Sequence, residues 1–236
     1  MQKGEVVAIV GESGSGKTTL AQAIGQIYLP GQKVELTGSV RFNGDELVGL
    51  SDSALRKYRG RDIGYVFQDP YGALNPIQPI GMQISESLTL TSDISFDEAF
   101  EQSVQMMEKV FLPNPRELFW RYPHELSGGM RQRVVIATVA LLKPDLIIAD
   151  EPTSALDAAL QQEILEILLE QVRSEHAGLL IVTHDFSLVE KIASRAYVLD
   201  KGRVIEEGMI EELLRAPQEP KTKALVSAFR RLECQV

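Results

Sequence analysis

Two glycine-rich segments of this 236-residue chain carry residue types that bind phosphate groups. The first, Gly11-Glu-Ser-Gly-Ser-Gly-Lys17-Thr18, has the spacing of a phosphate-binding loop, in which backbone N–H groups turn inward around phosphate oxygens. In such a loop Lys17 reaches the β and γ phosphates of a nucleotide, and Thr18 places its hydroxyl on Mg²⁺. The alternative is a glycine-rich structural turn. The expected nucleotide-binding residues of this segment are Gly11, Glu12, Ser13, Gly14, Ser15, Gly16, Lys17, Thr18 and Thr19.

The second glycine-rich segment, Leu126-Ser-Gly-Gly-Met-Arg-Gln132, directly precedes residues that read as a helix up to Leu142. Ser127, Gly128 and Gly129 would therefore offer backbone donors and a helix N-terminus to an anion. One nucleotide has no use for two such segments, so we expect the second to serve a nucleotide held by a second copy. The alternative is that Ser127 only caps the helix and the glycines form its turn.

Acidic and imidazole side chains follow two apolar runs. Asp150 and Glu151 directly follow the apolar run Leu146-Ile-Ile-Ala149. At the end of a buried strand, Asp150 is placed to bind a metal ion. Glu151, one residue further on, is suited to accept a proton from the attacking water or to orient that water. His184 follows the run that ends at Thr183, and we interpret it as a contact of the γ phosphate. A pair of surface acids and a structural histidine are the alternatives.

Short apolar runs predict the strands that must position these residues. Val6–Val10, Leu146–Ala149 and Leu179–Val182 are continuous apolar runs, which is typical of parallel strands buried on both faces. Ala158–Arg173 shows apolar residues on one helical face. Strands that alternate with helices predict an α/β fold, and ligands of such sheets bind at the carboxyl ends of the strands.

Weaker patterns indicate an antiparallel edge sheet and a helical insertion. Thr37–Asn43 and Tyr197–Ile205 read as short strands, and Asp200-Lys-Gly202 reads as a hairpin turn. Ile63–Phe67 reads as a strand that ends at Gln68, a weak signal for which a surface glutamine is the default.

The segment after Gln68 is rich in proline and then in helical patterns. We predict a catalytic core formed by residues 1–70 and 143–236 and a helical subdomain formed by residues 71–142. Asp157 precedes the predicted helix of residues 158–173, where it would be either a ligand of the nucleotide or only a helix cap.

Composition narrows the class of protein. A net charge of −9 disfavours general binding to nucleic acid, so no nucleic-acid partner is expected. The longest apolar run, Val134–Leu142, is shorter than the roughly 18 residues that a membrane span needs. Val6–Val10 is too short for a secretory leader, and a single Cys234 fits a reducing compartment. We therefore expect a cytoplasmic protein.

The order of these motifs resembles that of the ATP-binding cassette (ABC) ATPases. The resemblance extends over nearly the whole chain and includes both glycine-rich segments, Gln68, Leu146–Glu151, Ser154-Ala-Leu-Asp157 and His184. The sequence is most similar to the ATPase subunits of oligopeptide, dipeptide and nickel importers. This closer likeness rests on Gly11–Lys17, on Met130 in place of a commoner glutamine, on Ile148–Thr153 and on Ala216-Pro-Gln-Glu-Pro-Lys-Thr222.

The resemblance implies a P-loop ATPase that works as a head-to-tail dimer. Each ATP, with Mg²⁺, would be held between the P-loop of one subunit and Ser127, Gly128 and Gly129 of the other. Asp157 would cross the interface, and His184 would hold the γ phosphate. Gln68 would link Mg²⁺ and the attacking water to the helical subdomain. By this resemblance the catalytic residues are Glu151, His184 and Gln68, and the metal ligands are Thr18, Gln68 and Asp150.

The resemblance also implies partners. These are a second ABC ATPase subunit, identical or related, integral membrane permease subunits that contact residues 69–85, and, indirectly, an extracytoplasmic solute-binding protein. The chain would then be peripheral on the inner face of the cell membrane and would drive import of peptides, nickel or a related small solute. The alternative is a soluble ABC ATPase that acts on nucleic acid or on a protein partner.

Two departures from the family pattern bear on these expectations. Members of the family usually carry a longer segment before the P-loop, with an aromatic residue that stacks on adenine. This chain begins ten residues ahead of Gly11, so we expect an antiparallel edge sheet that is incomplete at its N-terminus and weaker binding of ATP. Lys221 stands where the importer subfamily often has tyrosine.

Overall fold

The structure is a computed structural model that describes residues 1–28 and 34–233, and Cys234 lies outside this range. Within the described residues the chain forms eight strands and eleven α-helices. The strands are β1 (Val6–Val10), β2 (Arg41–Phe42), β3 (Asp45–Glu46), β4 (Ile63–Val66), β5 (Leu146–Asp150), β6 (Gly178–Thr183), β7 (Arg195–Asp200) and β8 (Arg203–Met209). The helices are α1 (Lys17–Gly25), α2 (Asp52–Leu55), α3 (Pro70–Ala73), α4 (Ile80–Thr91), α5 (Phe96–Lys109), α6 (Pro115–Leu118), α7 (Gly128–Leu142), α8 (Ala158–Ser174), α9 (Phe186–Ile192), α10 (Ile210–Arg215) and α11 (Pro220–Glu233).

A six-stranded sheet in the order β4-β5-β6-β1-β7-β8 forms the centre of the fold. Its pairs are parallel except for the edge pair β7–β8. The predicted α/β fold with a mostly parallel sheet is confirmed. Every residue of β1 and β6 is buried, as expected for strands covered on both faces. The three predicted core strands β5, β6 and β1 are adjacent, so their carboxyl ends lie at one edge of the sheet.

The two predicted edge regions form separate antiparallel pairs. The hairpin β7–β8 turns at Lys201 and Gly202, both with positive φ, which matches the predicted turn. The predicted strand Thr37–Asn43 is shorter than expected, because only Arg41–Phe42 pairs, with β3, in a two-stranded sheet of its own. Just before β2, the Val40 N–H donates to the Glu46 carboxylate rather than to a backbone carbonyl of a neighbouring strand.

The regular elements described between residues 70 and 142 are all helical. They are α3 to α7 and a short 3-10 helix at Pro123–Glu125. Helix α7 packs against α4 and α5 and also against strand β4. It therefore joins the helical segment to the sheet, although the subdomain boundary at residues 71 and 142 stays a prediction. In the part of the chain described, no helix has the length and apolar character needed to span a membrane.

A close contact in the helical segment generates the first prediction. Gly81 of α4 donates its N–H to the Phe119 carbonyl, and a Cβ on Gly81 would overlap the ring of Phe119, which is fully buried. Because the ring has no space to move, Gly81→Ala should lower the free energy of unfolding by about 1–3 kcal/mol. Urea denaturation measures this change.

Gly72→Ala is the matched control for Gly81→Ala. Gly72 lies in helix α3, and the nearest atom to a Cβ there is a carboxylate oxygen of Asp69 at 3.9 Å. The control should change the free energy of unfolding by less than about 0.5 kcal/mol. Equal stability of the two variants would contradict the packing of α4 on Phe119.

Candidate functional site

The phosphate-binding loop connects β1 to α1. Gly16, at φ 100°, is the residue before the helix, a left-handed conformation that favours glycine. A Cβ on Gly11 would overlap the Leu199 carbonyl oxygen of β7, so glycine is also required there for packing. The Gly202 N–H donates to the Ser15 carbonyl at 2.7 Å. The turn of the β7–β8 hairpin thus contacts the phosphate-binding loop and helps to fix its backbone.

Lys17 is buried at the start of α1 and points back across the loop. Its Nζ donates to the carbonyl oxygens of Gly11 at 2.9 Å and Glu12 at 3.0 Å. The ammonium group therefore lies within the loop rather than in solvent. The positive end of helix α1 adds to this charge, so the loop presents a cationic surface to an anion.

A cavity of about 260 Å³ lies next to this loop and brings together predicted site residues from separate motifs. It is lined by Ser13, Gly14, Gly16, Lys17, Thr18, Thr19, Gln68 and Glu151. Gln68, for which the sequence signal was weak, belongs to this group because β4 pairs directly with β5. Residues from three distant parts of the chain therefore face one space.

Asp150 ends β5 beneath the cavity and is almost completely buried. Its Oδ1 has no protein partner, and its Oδ2 lies 3.5 Å from the hydroxyl of Tyr65. Burial raises the pKa of Asp150; Glu151 adds to this, whereas Thr18 and Lys17 oppose it. A buried carboxylate oxygen beside a threonine hydroxyl is a donor set that suits Mg²⁺, which binds one or two carboxylates together with water and phosphate oxygens. Among the described residues, no group of three or more His, Cys, Asp or Glu side chains is placed to hold a metal ion.

Glu151 and His184 form a hydrogen-bonded pair at the same edge. Glu151 has a φ of 47°, a left-handed conformation that is uncommon for a residue with a side chain. Its Oε1 lies 2.7 Å from His184 Nδ1 and accepts the His184 N–H at 3.1 Å. Its Oε2 accepts the Thr183 hydroxyl at 3.3 Å. The Glu151 side chain is 12% exposed and that of His184 is 67% exposed, so the pair joins the cavity to the surface.

The second glycine-rich segment and Asp157 do not line this cavity. Ser127 caps α7 by accepting the Met130 N–H at 3.3 Å, and Asp157 caps α8 by accepting the Leu160 N–H at 3.1 Å. Both capping alternatives are thus present in the structure. They do not conflict with a role toward a partner, because a cap uses one oxygen and leaves the glycine N–H groups free for other contacts. These binding roles stay predictions.

Sequence reasoning missed the contacts of two side chains next to the site. Gln132 is buried and donates from Nε2 to the Phe67 carbonyl at 3.3 Å, directly before Gln68. Arg131 lies 3.6 Å above the ring of Tyr71. Their position in the second glycine-rich segment was the only available signal, because both contacts join parts of the chain that are far apart in sequence.

A sequence profile of the ABC transporter family matches residues 1–154. The chain belongs to the ABC transporter family. This ABC ATPase is 42% identical over 227 residues to the oligopeptide transport ATP-binding protein of Lactococcus lactis subsp. cremoris, covering 96% of this chain and 67% of that protein. It is 40% identical over 233 residues to the dipeptide transport ATP-binding protein of Bacillus subtilis, covering 99% of this chain and 70% of that protein.

Solved structures show the same fold. A dimeric ATP-binding cassette in a post-hydrolysis state with ADP and Pi aligns with a TM-score of 0.78 and 30% identity, covering 89% of this chain and 87% of that one. The ABC ATPase chain spans about two thirds of the length of the curated transport relatives. The family likeness expected from the motif order is confirmed.

Replacing Glu151 tests its chemistry. Glu151→Gln keeps the shape of the side chain and a hydrogen-bond partner for His184, but it removes the carboxylate that we expect to accept a proton. We expect ATP binding to persist and the turnover number to fall by roughly 100-fold or more. Phosphate release measures turnover, and a fluorescent ATP analogue measures binding.

Glu163→Gln, an exposed residue of α8, makes the same chemical change away from the cavity. It should hydrolyse ATP at the wild-type rate. If Glu151→Gln retained hydrolysis within about threefold of that control, Glu151 would have no part in activating water.

Proposed function

We propose that this chain binds and hydrolyses ATP between two cassettes and thereby drives import of peptides through a partner permease. The observation that supports ATP hydrolysis most is the cavity lined by the phosphate-binding loop together with Gln68 and Glu151. It brings phosphate-binding groups together with a carboxylate that can accept a proton and an amide side chain. The names of the relatives, which are transport proteins for oligopeptides and dipeptides, support the substrate class.

The second glycine-rich segment supports a site shared by two copies. Its Ser127, Gly128 and Gly129 lie at the start of a 15-residue helix, where backbone N–H groups are available to bind an anion. Gly128 has open space around its Cα. The dimeric cassette with ADP and Pi provides a precedent for a pair of cassettes with this fold. In such a pair Asp157, which caps α8 close to this segment, would lie at the interface.

Each residue of the cavity then has a role toward ATP. Lys17 and the loop N–H groups bind the β and γ phosphates and offset their charge. Glu151 orients the attacking water and accepts its proton, while His184, held by the Glu151 carboxylate, contacts the γ phosphate. Mg²⁺, when bound, neutralises charge on the phosphates. The residues that would hold it are Thr18, Gln68 and Asp150.

Residues 69–85 are proposed to contact the permease. Tyr71 is 64% exposed and Ile77 is 84% exposed, so two large apolar side chains of this segment face solvent. The Tyr71 ring is held by Arg131 of α7, which connects this surface to the second glycine-rich segment. Contact with the permease would place the chain on the cytoplasmic face of the membrane, with a solute-binding protein acting on the other side.

Mixing two inactive variants tests the shared site. Ser127→Asp keeps an oxygen that caps α7, because aspartate is a preferred N-cap residue, but it places a negative charge beside the phosphates of the partner's ATP. Lys17→Ala removes the phosphate contact within one chain. Each variant alone should be inactive, whereas a mixture should regain activity, since one of the two sites in a mixed dimer has a wild-type Lys17 and a wild-type Ser127.

The mixture separates the two interpretations of Ser127. Full activity of Ser127→Asp alone would show that Ser127 only caps the helix. Two inactive variants that stay inactive after mixing would contradict a site shared between copies.

A substitution on the exposed surface tests the permease contact. Ile77→Glu places a charge in the segment 69–85, so less of the ABC ATPase should co-purify with membranes that contain its permease. Leu90→Glu is the control, because Leu90 is 78% exposed but lies outside that segment. Western blotting of membrane and supernatant fractions measures the distribution. Equal loss for both variants would contradict the contact through residues 69–85. A wild-type chain found with ribosomes or DNA would contradict the transport assignment.

A further inference from the structure

An ion pair joins the phosphate-binding loop to the C-terminal helix. Lys221, in the first turn of α11, places Nζ 2.7 Å from Glu12 Oε2, and the two residues are 209 positions apart in sequence. The hydrogen bond to the Glu12 carboxylate raises the pKa of Lys221, and the charge of Asp200 adds to the effect. The side chains are 38% and 54% exposed, so the pair by itself adds little to the stability of the fold.

The start of α11 is held in place independently of this ion pair. The Glu206 carboxylate on β8 accepts the Gln218 N–H at 2.7 Å and the Glu219 N–H at 3.0 Å. Burial raises the pKa of Glu206, but these bonds outweigh burial and lower it. Thr222, next to Lys221, is fully buried. Lys221 therefore extends from a fixed helix end toward the loop.

Glu12 is an acidic residue within a loop that binds an anion. Its carbonyl oxygen accepts the Lys17 Nζ at 3.0 Å, so its backbone belongs to the phosphate-binding turn. Its side chain does not line the cavity, because the carboxylate is directed to Lys221. A carboxylate free to rotate toward the triphosphate would repel it, since like charges at close range disfavour binding.

We propose that Lys221 is a positioning residue of the nucleotide site, which holds the Glu12 carboxylate away from the phosphates and offsets its charge. Lys221 acts through Glu12 and does not contact the nucleotide. The inference rests on the proposed binding of ATP in the cavity. It assigns a function to the first turn of α11, where the sequence showed only a departure from the tyrosine that is common in the importer subfamily.

The test begins with Lys221→Met, which keeps the length of the side chain and removes its charge. Binding of a non-hydrolysable ATP analogue should weaken by roughly threefold to tenfold, and KM for ATP should rise similarly. The turnover number should stay within about twofold, because the groups that activate water are unchanged. Lys223→Met, an exposed residue on the same helix, removes the same charge and should change neither constant.

The double variant Glu12→Gln/Lys221→Met distinguishes positioning from a purely structural role. Removing the Glu12 charge removes the repulsion, so the double variant should regain the affinity of Glu12→Gln alone. Raising the salt concentration should reduce the defect of Lys221→Met, because screening weakens exposed charge interactions. A Lys221→Met defect that persists in the double variant, or no defect relative to Lys223→Met, would overturn the inference. A wild-type chain that fails to bind the analogue would instead overturn the proposed function.

Discussion

The pairing of β5, β6 and β1 is the constraint on which the rest of this structure depends. Val10 is in register with Thr183, and Val182 is in register with Asp150, so three strands from distant parts of the chain end at the same level. The loop after β1, the carboxylates at the end of β5 and the imidazole after β6 therefore meet at one edge. No single segment could supply a glycine-rich loop, a buried carboxylate and an imidazole together.

Charge balance at this edge explains the contacts that surround it. The loop is cationic because Lys17 and the start of α1 point into it, and the Asp150 carboxylate beneath it is buried without a full set of partners. The proposed triphosphate with Mg²⁺ would satisfy both groups at once. Glu12 is the one acidic side chain in the cationic loop. Its carboxylate is directed to Lys221, which offsets its negative charge.

The sequence predicted the features that depend on local patterns. The apolar runs at β1, β5 and β6 and the turn at Lys201 and Gly202 were predicted because burial and turn geometry leave a signal in adjacent residues. The predicted length of the strand Thr37–Asn43 was wrong, because the Val40 N–H donates to the Glu46 side chain and not to another strand. For Gln68 the residue pattern alone was a weak signal, and its predicted role came from the family resemblance, since its position depends on pairing of β4 with β5. The contact of Lys221 with Glu12 was not predicted, since it depends on docking of α11. The roles of Ser127 and Asp157 stay predictions, because within one chain they act only as helix caps.

A structure of the protein with Mg²⁺ and a non-cleavable ATP analogue tests the central claim most directly. The account predicts two copies in head-to-tail arrangement, with each γ phosphate bound by Lys17 of one copy and by the Ser127 hydroxyl and Gly129 N–H of the other. A single copy with the analogue bound in its cavity and Ser127 exposed to solvent would contradict it.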